Sequence, residues 1–256
     1  MRAIRVLIPL KRIAGRLQAA SYNEFSKPRG SDHPEPVEGP TSNGIPMYKA
    51  LLKTGLKKLN LELSEDKIEL LLAYHALLVK WNKAYNLTAV RDPEEMIRRH
   101  LLDSLSIIPH ITGDTVLDVG TGPGLPGIPM SICFPEKQFV LLDSNGKKTR
   151  FLTQAKIELK LENMTPVQAR IESFDFPAIA PEGFDSITSR AFATLKDMVD
   201  GSIHLLKPDG FFYAMKGLYP TDEISELDNR TSVVDCFALH VPGEEAERHL
   251  VKIKKV

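Results

Sequence analysis

Apolar residues recur at helical spacing in two stretches, one after Ser64 and one after Asp92. After Ser64, a residue type that caps helix N-termini, apolar side chains stand at positions i, i+3, i+4 and i+7 through Val79. Asp92 precedes a proline at the first helical position and an acid three residues after the cap, the pattern of a second helix start. We therefore predict a small helical unit over residues 47–110 that docks on the following part of the chain.

The hydrophobic period changes after residue 110, where short, nearly continuous apolar runs alternate with helix-like stretches. The predicted strands cover residues 116–119, 139–143, 165–170, 184–190 and 211–216, and the predicted helices cover residues 126–134, 147–160 and 192–206. Two further runs, 232–241 and 249–255, flank a Pro-Gly turn and predict an antiparallel hairpin. Residues 111–256 are thus expected to form a doubly wound, mostly parallel, seven-stranded α/β sheet of Rossmann-like type.

The first 46 residues differ in composition from the rest of the chain. Residues 26–46 are dense in Pro, Gly, Ser and charge, which predicts a disordered linker. We expect residues 1–46 to be a dispensable extension. The alternative is a basic arm that touches nucleic acid through a set of five cations: Arg2, Arg5, Lys11, Arg12 and Arg16.

Composition excludes several classes of protein. The 256 residues carry 33 Lys and Arg against 33 Asp and Glu, so bulk charge does not drive binding to nucleic acid. No apolar run approaches the roughly 18 residues of a membrane span, and Lys11 and Arg12 interrupt the only stretch that resembles a signal peptide. Cys133 and Cys236 are isolated, so we expect two buried core cysteines, no disulfide, no metal site and a cytoplasmic protein.

A glycine loop, VLDVGTGPGLPGIP at residues 116–129, follows the first predicted strand. Gly122, Gly124 and Gly127 satisfy GxGxxG and, with Asp143 at the end of the next strand, match a dinucleotide fingerprint, whereas the missing GK[ST] excludes a P-loop. The loop prolines lack the N–H groups that a pyrophosphate needs, and Asp118 would repel phosphate but attract an ammonium or sulfonium group. The loop therefore favours S-adenosylmethionine, with Asp143 accepting from its ribose hydroxyls.

The end of the fourth predicted strand indicates the methyl acceptor. Its sequence, Ser-Arg-Ala-Phe at 189–192, lacks the Asn/Asp-Pro-Pro-aromatic corner used for exocyclic amines, and no cysteine stands at a strand tip for attack on a base. A ring nitrogen such as guanine N7 needs neither device, because its lone pair is already nucleophilic. Arg190 would recognise guanine O6 or bind a phosphate or the cofactor carboxylate, and Lys216 would lie on the same rim.

Several blocks of the sequence occur in the order typical of one family. KWNKAYNLTAVRDPEEMIRRHLLDSL, DVGTGPGLPGIP, LLDSNGKKTRFL, SRAFATLKDMV and FYAMKG together resemble the bacterial 16S ribosomal RNA small-subunit methyltransferase G family, also called glucose-inhibited division protein B. The resemblance covers residues 47–256 and implies methyl transfer from S-adenosylmethionine to N7 of a guanine near the decoding centre. It also implies cofactor contacts at five positions: Gly120, Leu125, Ile171, Glu172 and Arg190.

One segment, residues 80–86, mixes cations with amides and aromatics, as RNA-binding surfaces do, and two basic clusters follow at residues 98–100 and 147–150. They are predicted to contact phosphates of 16S rRNA or of the small ribosomal subunit through Lys83, Asn86, Arg98, Arg99, Lys147, Lys148 and Arg150. Trp81 is expected to pack in the core instead, and His100 is as compatible with a structural role as with a catalytic one, since the proposed chemistry needs no base.

Two other functions remain open at this point. One is a related methyltransferase that acts on a small molecule or a protein, which the low net charge favours. The other is a non-catalytic S-adenosylmethionine-binding module in ribosome assembly. No sequence feature demands a dimer, and we expect a monomer.

Overall fold

The structure, a computed structural model, describes residues 44–175, 178–191 and 194–256. Its helices are α1 (Gly44–Lys58), α2 (Glu65–Tyr85), α3 (Pro93–Met96), α4 (Asp103–Leu105), α5 (Gly127–Cys133), α6 (Gly146–Leu159), α7 (Leu195–Ser202) and α8 (Thr221–Ser225). The predictions for residues 1–43 lie outside the described residues. Because α1 begins at Gly44, the helical unit starts three residues before the predicted boundary. Pro46 lies in the first turn, where its missing N–H is not needed for a helical hydrogen bond.

The predicted helix start at Asp92 is confirmed. The Asp92 carboxylate accepts a hydrogen bond of 2.8 Å from the backbone N–H of Glu95 and so caps α3. The chain then passes through a π-helical turn, Ile97–Leu102, before α4. Apolar periodicity does not distinguish this wider turn from an α-helix, so the turn could not be predicted from the sequence.

The sheet contains β1 (Thr115–Val119), β2 (Gln138–Asp143), β3 (Met164–Gln168), β4 (Phe184–Arg190), β5 (Leu206–Lys216), β6 (Thr231–Leu239) and β7 (Arg248–Lys255). Their order is β3-β2-β1-β4-β5-β7-β6, with β1 to β5 parallel and β7 antiparallel to both β5 and β6. The predicted fold class is confirmed, including the C-terminal hairpin.

Strand β5 begins five residues earlier than predicted. Its first residue, Leu206, pairs with Phe184, and the register then shifts so that Phe211 pairs with Ser186. The polar Lys-Pro-Asp-Gly segment between Leu206 and Phe211 is therefore a bulge within the strand, although its composition is typical of a loop.

Two hydrophobic clusters cover the two faces of the sheet. One contains Phe139 and Leu141 together with buried residues of α1, α2, α5 and α6, so the N-terminal helices share a core with the sheet. The other contains Val140 and Leu142 with buried residues of α7. Alternate residues of β2 thus point to opposite faces, as expected for a sheet with helices on both sides.

Within the described ranges, no helix is long and apolar enough to cross a membrane. The same residues contain no cluster of three or more His, Cys, Asp or Glu side chains that is arranged to hold a metal ion. Both cysteines are free thiols. Cys133 is buried as predicted, but Cys236 is only half-buried, because it lies on the edge strand β6.

Candidate active site

The glycine loop between β1 and α5 needs glycine at specific positions. Gly120, Gly122 and Gly124 adopt φ angles of +64°, +61° and +94°, in the region that side chains disfavour. A Cβ atom at Gly124 would lie 2.4 Å from Ile128 Cδ1, so this residue also permits a close approach of the loop to α5. The positive φ angles and this contact explain why glycines recur here.

Asp118 is a buried residue beneath the glycine loop and holds the loop by hydrogen bonds. Its carboxylate is fully buried, and Oδ2 accepts hydrogen bonds from Thr121 Oγ1 at 2.5 Å and from the Gly127 N–H at 2.8 Å. Burial raises the pKa of Asp118 to about 7, although both hydrogen bonds act in the opposite direction. The structure therefore places Asp118 behind the loop and not in the lining of the cleft, where its hydrogen bonds hold the loop conformation.

Tyr74 connects the helical unit to the same loop. It lies on α2, is fully buried, and its hydroxyl donates a hydrogen bond of 2.8 Å to the Pro123 carbonyl. Leu125 is also buried, in the hydrophobic cluster that α2 shares. Tyr74 could not be singled out from the sequence, because an aromatic residue on an apolar helix face is typical of an ordinary core position.

A cleft of about 390 Å³ opens at the carboxyl ends of β1, β2 and β4 and beyond β3. It is lined by Val119, Gly120, Leu142, Asp143, Ser144, Lys148, Ala169, Arg170, Ile171, Glu172 and Ala191. The structure thus brings together four of the predicted cofactor residues, Gly120, Asp143, Ile171 and Glu172. Lys148, predicted to bind RNA, lies in this cleft instead, with Nζ 3.6 Å from Asp143 Oδ2.

Asp143 is held in place by backbone donors. Its Oδ2 accepts from the Gly122 N–H at 2.9 Å, and its Oδ1 accepts from the Asn145 N–H at 2.8 Å. Each carboxylate oxygen has two lone-pair sites, so both oxygens can still accept a ligand hydroxyl. The glycine loop and the end of β2 are therefore joined directly at the cleft.

The lining of this cleft fits S-adenosylmethionine. Its volume lies in the range for small-molecule sites. Val119, Leu142 and Ile171 offer an apolar wall for adenine, whereas Asp143 and Glu172 offer acceptors for ribose hydroxyls and for a cation. No residue of the lining forms a phosphate-binding GK[ST] loop, in agreement with a ligand that carries no phosphate.

A second cavity, of about 310 Å³, lies on the other side of Ala191 and shares that residue with the cleft. It is lined by Val90, Arg99, His100, Asp103, Arg190, Ala191, Met215, Lys216, Gly217, Leu239, Arg248 and His249. Ala191 has a φ of +52°, which is uncommon for a residue with a Cβ and is often found at functional sites. We call this second space the acceptor cavity.

Arg190 lies in the acceptor cavity and not in the lining of the cofactor cleft. Its Nη1 donates to Asp103 Oδ2 at 3.0 Å and to the Arg99 carbonyl at 2.9 Å. The other Asp103 oxygen, Oδ1, accepts from Arg248 Nε at 3.1 Å. Neither Asp103 nor Arg248 was singled out from the sequence, because the three residues are far apart along the chain.

His100 is a structural residue of this cavity. It is buried, and its Nε2 and the Thr88 hydroxyl form a hydrogen bond of 2.8 Å. Burial and the neighbouring Arg190 lower the pKa of His100 to about 4, so the imidazole is neutral at pH 7. At pH 7 the protonated form of this ring is too rare for His100 to serve as a general acid. Both ring nitrogens are already hydrogen-bonded, one to the Thr88 hydroxyl and one to the Arg99 carbonyl.

The predicted RNA-binding residues are divided between several places. Arg99 and Lys216 line the acceptor cavity, where Lys216 Nζ also contacts Glu223 at 2.7 Å. The remaining five line neither the cleft nor the acceptor cavity: Lys83 and Asn86 at the end of α2, Arg98 paired with Glu94, and Lys147 and Arg150 on α6. Of these five residues, Arg98 is half-buried and the other four are exposed.

The prediction that Trp81 packs in the core is confirmed. Trp81 is buried, stacks on Tyr85 with ring centroids 5.1 Å apart, and meets the edge of Phe151 at 5.6 Å. It therefore joins α2 to α6 and is not available to stack on a base.

The sheet order, the glycine loop after β1 and the cleft at the strand ends define a Rossmann-like methyltransferase. Residues 67–251 match the family GidB, rRNA small subunit methyltransferase G. The ribosomal RNA small subunit methyltransferase G of Marinomonas sp. (strain MWYL1) is 51% identical over 200 residues, 78% of this chain and 94% of that protein. The protein of the same name from Escherichia fergusonii is 54% identical over 203 residues, 79% of this chain and 96% of that protein.

The chain therefore belongs to the rRNA small subunit methyltransferase G family. The predicted family, the methyltransferase activity and S-adenosylmethionine as the cofactor are confirmed. Among solved structures, this chain is similar to a SAM dependent methyltransferase from Aquifex aeolicus. The match spans 66% of this chain and 96% of that protein, with 14% sequence identity and a TM-score of 0.49.

Proposed function

We propose that this protein transfers a methyl group from S-adenosylmethionine to N7 of one guanine in the 16S rRNA of the small ribosomal subunit, in the cytoplasm. The observation that carries this proposal is the pairing of two cavities that meet at Ala191. One has the lining expected for the cofactor, and the other is lined by four cationic side chains: Arg99, Arg190, Lys216 and Arg248. Family membership supports rRNA as the acceptor.

Guanine N7 suits the chemistry that these residues offer. Its lone pair lies in the plane of the ring and attacks a methyl carbon without loss of a proton, so no general base is required. When bound, S-adenosylmethionine supplies a methyl group on a sulfonium sulfur, which keeps the bonding electron pair when the N7–methyl bond forms. The protein contributes orientation and exclusion of water, which account for large rate effects without a catalytic side chain.

His100 supports a mechanism without a base. It is the histidine buried in the acceptor cavity, yet its low pKa and its two hydrogen bonds favour a neutral, fixed ring. The only carboxylate in the lining, Asp103, is bound to two arginines. The hydrogen bonds of His100 and Asp103 therefore go to neighbouring residues of the cavity, and neither group serves as a base.

The arginines of the acceptor cavity provide recognition. Within the described residues, Nε and Nη2 of Arg190 and Nη2 of Arg248 have no hydrogen-bond partner. Arginine donors bind guanine O6 or a phosphate oxygen, and the cavity that these arginines line meets the cofactor cleft at Ala191. The family resemblance also implies a contact between Arg190 and the cofactor, which Arg190 would make past Ala191 from the acceptor cavity.

We further propose that polar and cationic side chains outside the two cavities contact rRNA phosphates and that the enzyme acts as a monomer. Lys83, Asn86, Lys147 and Arg150 are exposed, and Arg98 is only ion-paired at the surface. Lys148 differs, because its position beside Asp143 favours a role at the cofactor cleft. Phosphate contacts of this kind strengthen binding in a salt-dependent manner.

The test is methyl transfer from labelled S-adenosylmethionine to small ribosomal subunits from cells that lack this enzyme. The modified base is identified by nuclease mapping and mass spectrometry, with large subunits as the control acceptor. Label in 7-methylguanine at one position of 16S rRNA supports the proposal. Transfer only to small molecules or proteins would contradict it, and cofactor binding without any transfer would leave a non-catalytic binding module.

A further inference from the structure

Asp103 joins two arginines that come from different strands at the same end of the sheet. Arg190 ends β4 and Arg248 begins β7, and the two bind different oxygens of the one Asp103 carboxylate, at 3.0 Å and 3.1 Å. The Asp103 side chain is 5% exposed, whereas those of Arg190 and Arg248 are 19% and 21% exposed. The acid is therefore the buried centre of the arrangement, and both cations still reach the acceptor cavity.

The charges around the acceptor cavity require such a centre. Four cationic side chains line this space, and Asp103 is the single carboxylate among the residues that line it. Like charges brought close together repel, and an arginine that lacks a partner adopts many rotamers. Arg99 is paired with Glu95 and Glu244, and Lys216 is paired with Glu223, whereas among the residues that the structure describes Arg190 and Arg248 share Asp103 alone. Asp103 therefore fixes two guanidinium groups and offsets only one of their charges, and the remaining positive charge suits a nucleotide.

The helical unit supplies both groups that hold Arg190. Asp103 begins α4, and the Arg99 carbonyl lies in the π-helical turn immediately before it. Arg99 and His100 of the same turn also line the cavity. π-Helical turns are frequent at functional sites. Here the turn places a backbone acceptor and two side chains on the acceptor cavity.

We propose that Asp103 is a positioning residue for the acceptor nucleotide. It orients Arg190 and Arg248 so that their remaining donors bind the acceptor guanine nucleotide through O6 or a phosphate oxygen. This inference rests on the proposed function, because it assigns the acceptor cavity to the RNA substrate. Asp103 does not touch the reacting atoms, and it acts through the two arginines alone.

The test compares wild type, Asp103→Asn, Arg248→Gln and the double variant. For each protein, kcat and KM are measured with methylation-deficient small subunits, together with Kd for S-adenosylmethionine. We expect Asp103→Asn to raise KM for subunits about tenfold, to change kcat less than about threefold and to leave the cofactor Kd unchanged. Arg248→Gln should add little to Asp103→Asn, because both changes disrupt one unit.

Asp185→Asn is the matched control. Asp185 is also ion-paired, with Lys207 at 2.6 Å, and accepts hydrogen bonds from Thr115, but it lies at the opposite end of β4 from Arg190 and outside the acceptor cavity. The Asp185→Asn variant should have a lower melting temperature than wild type and an unchanged KM for small subunits. Equal losses of cofactor and subunit affinity in Asp103→Asn, or fully multiplicative effects of the two single variants, would overturn the proposal.

A binding measurement separates this inference from the proposed function. Guanosine 5′-monophosphate is titrated into each protein saturated with S-adenosylhomocysteine, and Asp103→Asn should weaken its binding about tenfold. If wild type forms no 7-methylguanine, the proposed function fails, while this titration still decides the role of Asp103. Should Asp103→Asn not fold, Arg248→Lys retains the charge and loses the Nε bond, and unchanged binding in that variant would contradict the inference.

Discussion

The cofactor cleft and the acceptor cavity are neighbours that are built in different ways. The cleft is formed by the ends of consecutive strands, and its shape depends on backbone conformation, chiefly at Gly120, Gly122 and Gly124. The acceptor cavity is formed by charged side chains from the helical unit, from β4 and from β7. A fold that is shared by many enzymes thus supplies the first site, and contacts between distant segments supply the second.

The difference predicts that the two sites fail separately. A change that blocks the glycine loop should abolish cofactor binding, whereas a change among the arginines should weaken acceptor binding at constant cofactor affinity. Variants that affect both sites equally would show that the cavities form one functional unit.

The largest expected effect belongs to Gly120→Asp. Asp tolerates the positive φ at this position better than most residues, so the fold should survive, while the side chain enters the cleft beside two acids, Asp143 and Glu172. We expect the Kd for S-adenosylmethionine to rise at least about 100-fold, measured by calorimetry. Gly217→Ala is the control, since its added Cβ would lie 3.9 Å from the nearest non-neighbouring atom. A normal cofactor Kd in Gly120→Asp would contradict this assignment of the cleft.

Arg190→Gln should have the next largest effect. Loss of the guanidinium removes donors from the acceptor cavity and leaves Asp103 with one arginine. KM for small subunits should rise about 10- to 100-fold, with the cofactor Kd within about threefold of wild type. Glu172→Gln, in the cofactor cleft, should give the opposite pattern. If Arg190→Gln weakens the cofactor more than the subunit, Arg190 belongs functionally to the cleft.

Tyr74→Phe tests whether the helical unit supports the cofactor loop. It removes the buried hydrogen bond to the Pro123 carbonyl, which should cost about 1–2 kcal/mol of unfolding free energy and raise the cofactor Kd about fivefold. Tyr213→Phe is a matched control, because that buried hydroxyl contacts Thr112 Oγ1 at 3.1 Å, away from the loop. Both variants should be destabilised, and only Tyr74→Phe should bind the cofactor more weakly. Equal cofactor affinities would show that the loop holds its shape without Tyr74.

The smallest effect at neutral pH concerns His100. Its pKa is lowered to about 4 in the folded protein, so the unfolded chain binds more protons between pH 6.5 and pH 4. The contribution of the neutral ring is therefore present above pH 6.5 and is lost as the pH falls toward 4, by up to about 3 kcal/mol. Urea unfolding at pH 7.5 and 4.5 should show a smaller pH difference for His100→Gln than for wild type. Identical differences would mean that His100 is not buried in its neutral form.

Much of the fold could be predicted because the information is local. The apolar runs and the glycine loop identify β1 to β4, and Asp92 identifies a helix start with its own cap. Strand β5 was the exception, because the bulge that lengthens it contains Pro208 and Gly210 and resembles a loop.

The acceptor cavity could not be assembled from the sequence for a physical reason. Asp103 and Arg248 are 145 positions apart, and their bond depends on how the helical unit and the hairpin meet. No periodicity or spacing encodes that contact. Asp118 shows a related limit: its position before the glycines suggested a ligand contact, yet its burial and its bonds to the loop became visible only in the folded chain.

The division into two sites is tested most directly by a crystal structure with S-adenosylhomocysteine and guanosine 5′-monophosphate. We predict the adenosine moiety beside Asp143 and Ile171, and the guanine beside Arg190 and Arg248, with N7 directed toward Ala191 and the sulfur. A guanine bound elsewhere, or a cofactor whose adenosine lies in the acceptor cavity, would contradict the account.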